Sequence, residues 1–543
     1  MGGQKKQNNF VLQAGILAAA GMIVRVISLI YRSPLLSIIG LEGNGYYSEA
    51  MNIYTIILLI SSYSIPSAIS KVIAQKMAFK EYLNAQRVFR CALFYVLIVG
   101  GVASIITFVA APWLVGEHSV VALRVLAPTI FFSGFLGVFR GYFQAHGSMM
   151  HTSLSQILEQ ILNAVVSILA AWLLMKTVAE SSQTTQAVYG AAGSALGTGA
   201  GVVSALLFMS AMYVLNRKMI DRRVRYDRTK TTESYGEIIR TLFTVVTPFI
   251  LSTFIYNCST VVNMEIYKWI LIKFKDVDYV TAAIDYGIFS TQAVSVVNIP
   301  IAIASAMSSA MIPGVSATFI RKEFKKTRKQ VTKAVRMTML VSIPAAIGLA
   351  LLAQPVMQFI FPQKDSLEKA SGLLAALSVS VILYGLSTLT NAILQGIGKV
   401  NTPVIHAAIA LVIQVAALVG MLLYTELNLY ALVCANIVYS LVVCVLNHIS
   451  VRKHLKYKQE MMKTFIKPLV SAVVMGAVAF GVYHGLYLVL PVSRIVLLIA
   501  IGLGACVYFV MILFIGGVNE QELRAFPKGA MLVHAAKKMR LLK

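Results

Sequence analysis

The sequence predicts an all-α polytopic membrane protein with fourteen transmembrane helices, in two six-helix lobes (a parallel repeat) plus two extra C-terminal helices. Four observations carry this prediction. The 543 residues are 58% hydrophobic with a mean hydropathy of +0.78. The apolar residues fall in successive runs of about 20, the length that crosses a ~30 Å hydrocarbon layer. Lysine and arginine are segregated, with about 36 of the 47 in alternate loops, the set that includes both termini. Finally, SSYSIPSAIS from Ser61 returns as SSAMIPGVSA from Ser308, which sets Pro66 and Pro313 at an offset of 247. YFQAHGSM and AILQGIGK set Gln144 and Gln395 at an offset of 251, so spans 1–6 and 7–12 read as related lobes.

Taken in order, spans 1 and 2 cover Phe10–Ile30 and Tyr47–Ala68, joined by a short Gly-rich turn. A basic amphipathic stretch, Lys71–Arg90, leads to span 3 at Val88–Ala111. A turn around Gly116–Ser119 precedes span 4 at Val125–Gln144; spans 5 and 6 follow at Leu154–Met175 and Tyr189–Leu215, the latter rich in Gly and Ala, as close helix packing in lipid favours. Asn216–Arg240 carries eight Lys or Arg and reads as a cytoplasmic linker. Span 7 is Leu242–Met264, Glu265–Tyr286 is a mixed outer segment, and span 8 is Gly287–Ile312. After the basic loop Arg321–Arg336, spans 9 to 12 are Met337–Met357, Gly372–Gln395, Pro403–Tyr424 and Leu429–His448. A third basic loop, Arg452–Lys467, precedes spans 13 and 14 at Pro468–Leu490 and Ile495–Phe514. The expected organisation is an N-lobe over 1–215, a linker over 216–240, a C-lobe over 241–450, spans 13–14 over 451–516 and a basic cytoplasmic tail over 517–543.

A net charge of +26 would suit nucleic acid, but its distribution follows the positive-inside rule. Both termini are therefore expected in the cytoplasm, with the basic loops against anionic lipid and no nucleic-acid partner. Lys5, Lys6 and the apolar run after them imitate a signal peptide, yet the run continues to Ile30, so an uncleaved first span is expected. Cys91, Cys258, Cys434, Cys444 and Cys506 sit in or beside apolar runs without CxxC spacing and read as packing residues. No Walker A sequence, GxSxG or metal-ligand spacing is found, so the chain reads as a non-enzyme without a cofactor or metal. Coupling is left to Na⁺, H⁺ or the membrane potential.

Candidate functional residues are the ionisable groups inside apolar runs, because a charge in a bilayer costs about 2.5–3.5 kcal/mol on insertion scales. Arg25 lies roughly 22 Å along span 1, too deep to snorkel easily. It reads as a cation for an anionic group such as phosphate, or as half of an ion pair with Glu49. Arg32, about two turns on, shares nearly the same face near the helix end, where interfacial snorkelling is the plain alternative. Glu49 opens span 2 and is read as the partner of Arg25; Asn52, one turn further, extends the polar stripe or bonds a neighbouring helix. Arg140, Gln144 and Glu159 gather near the ends of spans 4 and 5 as a candidate inner gate or a fixed salt bridge. His406 and His484 are lone histidines read as packing or hydrogen-bonding residues.

RVISLIYRSPLLSIIGLEGNGYYSEAMNIY, SIPSAISK, FRGYFQ, SQILEQ and LQGIGK together resemble the polysaccharide-biosynthesis flippase branch of the MOP exporter superfamily. Within it the chain looks like the Gram-positive SpoVB-like group and its MurJ-type lipid II flippases. The resemblance spans nearly the whole chain. It implies a V-shaped pair of lobes and a cationic cavity for a lipid-linked diphosphate sugar, with access alternating between the two sides of the membrane. Arg25 and Arg32 match the paired span 1 arginines of that family, and spans 13–14 would form a groove for the polyprenyl tail; Glu49 and Asn52 join the arginines as candidate substrate-binding residues on the residue reading above. Two positions depart from the proteobacterial pattern: Tyr46 stands where an early span 2 acid is usual, and Ser295 where span 8 has an arginine. The implied function is export of a cell-wall precursor, most directly undecaprenyl-diphosphate-linked lipid II, across the bacterial cytoplasmic membrane. The alternatives are another undecaprenyl-linked polysaccharide and a MATE-type cation-coupled multidrug exporter. The chain is expected to work as a monomer, with cell-wall synthesis proteins as candidate partners.

Overall fold

The computed structural model describes residues 2–63, 65–225, 227, 232–489, 493–518, 520, 533–534 and 537. Most of the tail expected over 517–543 lies outside the described residues. Every regular element among them is a helix. Twelve are long and apolar enough to cross a membrane. One of these, Ala19–Ser61, has 43 residues and bends at Gly40, which leaves length for two crossings. Tyr235–Phe274, 40 residues long, stands in addition to the twelve. The architecture is a polytopic membrane fold compatible with fourteen spans. The chain divides into two compact units, Met1–Gly287 and Ile288–Lys543.

In the first unit α1 covers Gly2–Leu58. Its helix is interrupted only at Gly40, where φ of 70° suits a residue without a side chain. Pro34 lies inside the helix, its fixed φ being helical and its lost hydrogen bond tolerable in a membrane segment. The Gly-rich turn expected between spans 1 and 2 thus contracts to one residue, and Arg32 lies within the helix rather than at its end. After a π-helical turn, Leu59–Tyr63, come α2 (Ile65–Ala78), α3 (Tyr82–Leu114), the 3₁₀ turn Glu117–Ser119 and α4 (Val120–Ala145). α5 (Met149–Thr177) and α6 (Gln183–Leu215) pack with backbones nearly touching. A Cβ on Gly193 would lie 2.5 Å from the Ala171 Cα, and one on Gly201 2.5 Å from the Glu159 carbonyl oxygen.

The described part of the linker, with α7 at Arg217–Arg225, is tied to the α2–α3 turn. The Leu83 amide donates to Asp227 Oδ2 at 2.6 Å, Arg87 donates to the Glu233 carbonyl at 2.8 Å, and Lys76 bonds the Glu233 carboxylate. A capping box opens α8 (Tyr235–Phe274): the Ser234 hydroxyl accepts from the Glu237 amide, and the Glu237 carboxylate from the Ser234 amide. Met264, Tyr267, Ile270 and Leu271 form its buried stripe, so α8 continues to Phe274 before α9 begins at Tyr279 and runs to Gly287. The outer segment expected over Glu265–Tyr286 is therefore helical except at 275–278.

In the second unit a π-helical turn, Ile288–Ala293, precedes α10 (Val294–Ile320). Then follow α11 (Phe324–Leu351), α12 (Ala353–Ile360), α13 (Lys364–Gly396), α14 (Asn401–Tyr424) and α15 (Leu429–Leu455). α16 (Lys467–Val489) and α17 (Ser493–Phe514) close the unit. Most of the basic loop expected over Arg321–Arg336 is the first part of α11. Buried apolar residues from Val331 to Ile343 on α11, with Leu389 and Ile393 on α13, form the main core of this unit.

Candidate functional site

The best-defined buried charge is Glu49, 4% exposed and nine residues past Gly40 on α1. Four donors from three other segments converge on it. Lys268 Nζ on α8 lies 2.5 Å from Oε1, the Ser119 hydroxyl 2.7 Å from Oε2 and the Gly116 amide 3.1 Å from Oε1; the Tyr279 hydroxyl on α9 also donates to Oε2. Lys268 is 6% exposed, with Nζ 4.6 Å from the centroid of the Tyr279 ring. Position 116 requires glycine, since a Cβ there would fall 2.1 Å from the Tyr279 hydroxyl. The Tyr46 ring stacks 6.4 Å from that of Tyr279 and its hydroxyl donates to Glu42 at 2.8 Å. A carboxylate and an ammonium removed from water are held by their mutual charge and by filled hydrogen-bond positions.

Arg25 was the expected ion-pair partner of Glu49; Lys268 takes that place instead. The physical reason is the continuation of α8, which carries Lys268 to the Glu49 side chain. Asn52 bonds neighbouring helices, the second of its two expected roles, donating to the Tyr286 hydroxyl on α9 at 3.2 Å and to Met264 Sδ on α8 at 3.3 Å. On the first half of α1, Arg25 is exposed and Arg32 half-buried. Arg140 and Glu159 do meet: Nη2 lies 2.6 Å from Oε2, while Nε donates to the buried Ser155 hydroxyl at 2.9 Å. The pair ties α4 to α5, and Gln144 sits one turn beyond Arg140, half-buried.

Sequence reasoning missed Lys268, Tyr279, Ser119 and Gly116. Only Lys268 carried a signal: it interrupts the apolar run MEIYKWILIKF, as Arg25 interrupts span 1. In the second unit, a cavity of about 500 Å³ lies among α10, α11, α12, α16 and α17. Its walls include Ile299, Leu340, Pro344, Met475, Ile501 and Tyr508. Such a space admits a hydrocarbon chain. No cluster of metal-ligating side chains occurs among the described residues.

A family model described as "Lipid II flippase MurJ" matches residues 67–501. The Lipid II flippase MurJ of Bacillus subtilis (strain 168) is 22% identical over 480 residues, covering 85% of this chain and 86% of that protein. Stage V sporulation protein B of the same strain is 22% identical over 522 residues, covering 94% of this chain and 96% of that one. Among solved structures, "Lipid II flippase MurJ, inward closed conformation" shares the fold with a TM-score of 0.66 at 14% identity, over 91% of this chain and 97% of that chain.

Proposed function

Because the chain belongs to the MurJ lipid II flippase family, we propose that it carries a lipid-linked cell-wall precursor, undecaprenyl-diphosphate-linked lipid II, from the inner to the outer leaflet of the cytoplasmic membrane by alternating access. A diphosphate head group carries about two negative charges and cannot cross hydrocarbon unaided. Arginines replace its hydration through charge-assisted, bidentate hydrogen bonds while the tail stays in lipid. The observation that supports this reading is the pairing along α1. Arg25 and Arg32 sit seven residues apart, two helical turns and so nearly on one face.

In this reading Glu49, Lys268, Tyr279 and Ser119 latch shut the end of the first unit where the Gly40, Glu117–Ser119 and 275–278 turns gather. Arg140 and Glu159 brace the opposite ends of α4 and α5. The apolar cavity beside α16 and α17 takes the polyprenyl tail. The basic loops and both termini face the cytoplasm, against anionic lipid. An inside-negative potential drives the anionic head outward by about 2.3 kcal/mol per charge per 100 mV and draws the empty cationic site back. Coverage of a sporulation protein along 96% of its length supports a second reading, a flippase for another undecaprenyl-linked glycan.

The test is rescue of cells depleted of their lipid II flippase. Wild type should rescue, while Arg25→Ala and Arg32→Ala at matched expression should not. Rescue by all three would remove the arginines from the site. No rescue by well-expressed wild type would favour the other glycan.

A further inference from the structure

In the second unit, α13, α14 and α15 are joined by a chain of side-chain hydrogen bonds around Asn447, whose side chain is fully buried. Asn447 Nδ2 donates to the Asn391 Oδ1 at 2.6 Å and to the Thr390 hydroxyl oxygen at 3.2 Å. Both amide hydrogens are thereby used on α13, which fixes the orientation of the amide. Its Oδ1 then faces His406 Nδ1 on α14 at 2.7 Å. An amide oxygen only accepts, so Nδ1 must carry the hydrogen. The basic lone pair of the neutral ring is left on Nε2, which lies 3.3 Å from the Ser450 hydroxyl on α15.

This network pins one tautomer and leaves one ring nitrogen able to change state. We propose that His406 is a proton-binding site: Nε2 accepts a proton to give the imidazolium while Asn447 keeps the Nδ1 hydrogen. No hydrogen bond to α13 breaks in that step. The Ser450 hydroxyl, which donates to the neutral ring, turns to accept from Nε2–H, and its own hydrogen is free to bond a carbonyl one turn back on α15, as serine does in helices. The charge gained is a full unit at the junction of three membrane helices. Asn391, Thr390 and Asn447 are each buried, so the charge must be met by realigned dipoles or by helix movement.

The site lies near helix ends. His406 lies five residues inside α14 and Asn447 eight residues before the end of α15, roughly 8–12 Å from those helix ends. The charged or titratable groups on the packed elements at this level are Cys444, His448, Arg452, Lys453 and His454 on α15 and Lys399 ahead of α14. α13 offers only amides, hydroxyls and apolar groups from Leu386 to Gly396. Within the network itself, the histidine ring is the one group able to take up a proton, the others being amides and hydroxyls.

The experiment is nitrogen NMR of the full chain in nanodiscs with ¹⁵N-labelled histidine, the His406 signals identified by their loss in His406→Gln. The expected result is an Nδ1–H neutral tautomer that converts to the doubly protonated ring on acidification, the added proton on Nε2. In Asn447→Ala the neutral ring should shift toward the Nε2–H tautomer. An Nε2–H tautomer in the wild type, or a ring that never changes protonation, would overturn the proposal. This readout stands whether or not the chain carries lipid II. In vesicles loaded with lipid II, a several-fold pH response of the wild-type rate should flatten in His406→Gln. An unchanged pH profile in that variant would overturn any part for the proton in transport, and absence of transport by wild type would count against the proposed substrate alone.

Discussion

Lys268 and Glu49 form an ion pair 2.5 Å long whose two side chains are each more than nine-tenths buried. It joins α1 to α8. Its energetics are lopsided: the intact pair contributes little net stability, yet either charge alone in that place is costly. Lys268→Met should destabilise the protein by about 3–5 kcal/mol, and Glu49→Gln/Lys268→Met should recover most of the loss. Thermal melts of the two single variants and the double variant in detergent check this. Equal melting of Lys268→Met and wild type would sink it.

The hydroxyl donors should each matter less than the lysine. Hydrogen bonds to a charged group are worth about 1.5–3 kcal/mol. Tyr279→Phe keeps the ring beside Lys268 but removes a donor to Glu49, and Ser119→Ala removes another. Both should melt between wild type and Lys268→Met, with the ion pair intact.

The α1 arginines should separate stability from transport. Arg25 is exposed, so Arg25→Ala should change stability by no more than about 0.5 kcal/mol while abolishing rescue. Arg25→Lys should rescue in part, since it keeps the charge but loses the planar fork that grips a diphosphate. Full rescue by the lysine variant would mean that charge alone is read.

Helix packing in the first unit offers a control far from any charge. Gly193→Ala places a methyl group 2.5 Å from the Ala171 Cα and should cost about 1–3 kcal/mol by forcing α5 and α6 apart. A melt unchanged from wild type would show that these helices slide freely.

One pH effect is local. At the polar start of α8, the Ser234 backbone amide, and then its hydroxyl, hold the Glu237 carboxyl below its ordinary value of 4.5. The folded value being the lower one, this contribution is full above about pH 4.5 and fades as pH falls through the folded value. Protection from hydrogen exchange in the first turn of α8, taken relative to the intrinsic rate at each pH, should fall on acidification in wild type. In Ser234→Ala that protection should already be low at neutral pH; identical protection in the two would refute the cap.

The membrane class was legible because hydropathy is local: a run of about 20 apolar residues announces a crossing without reference to anything else. Glu49 was legible as a buried acid for the same reason. Its partners were not, because Tyr279 is 230 residues away and nothing in the sequence near Glu49 encodes that approach. Lys268 was hidden by a boundary. With span 7 ended at Met264, a lysine four residues on read as a loop residue, whereas the stripe Met264–Tyr267–Leu271 continues the helix through it. The Gly-rich segment after Arg32 was misread in the opposite sense. Several glycines suggested a turn, but only Gly40 has a conformation that requires one.

That single residue bears on how the protein is made. With spans 1 and 2 joined at Gly40 alone, the two helices have no polar loop to thread across the bilayer ahead of the second. They would enter the membrane as one continuous segment that turns at Gly40. An epitope tag or protease site spliced in after Gly40 would have no loop to extend and would break that continuity.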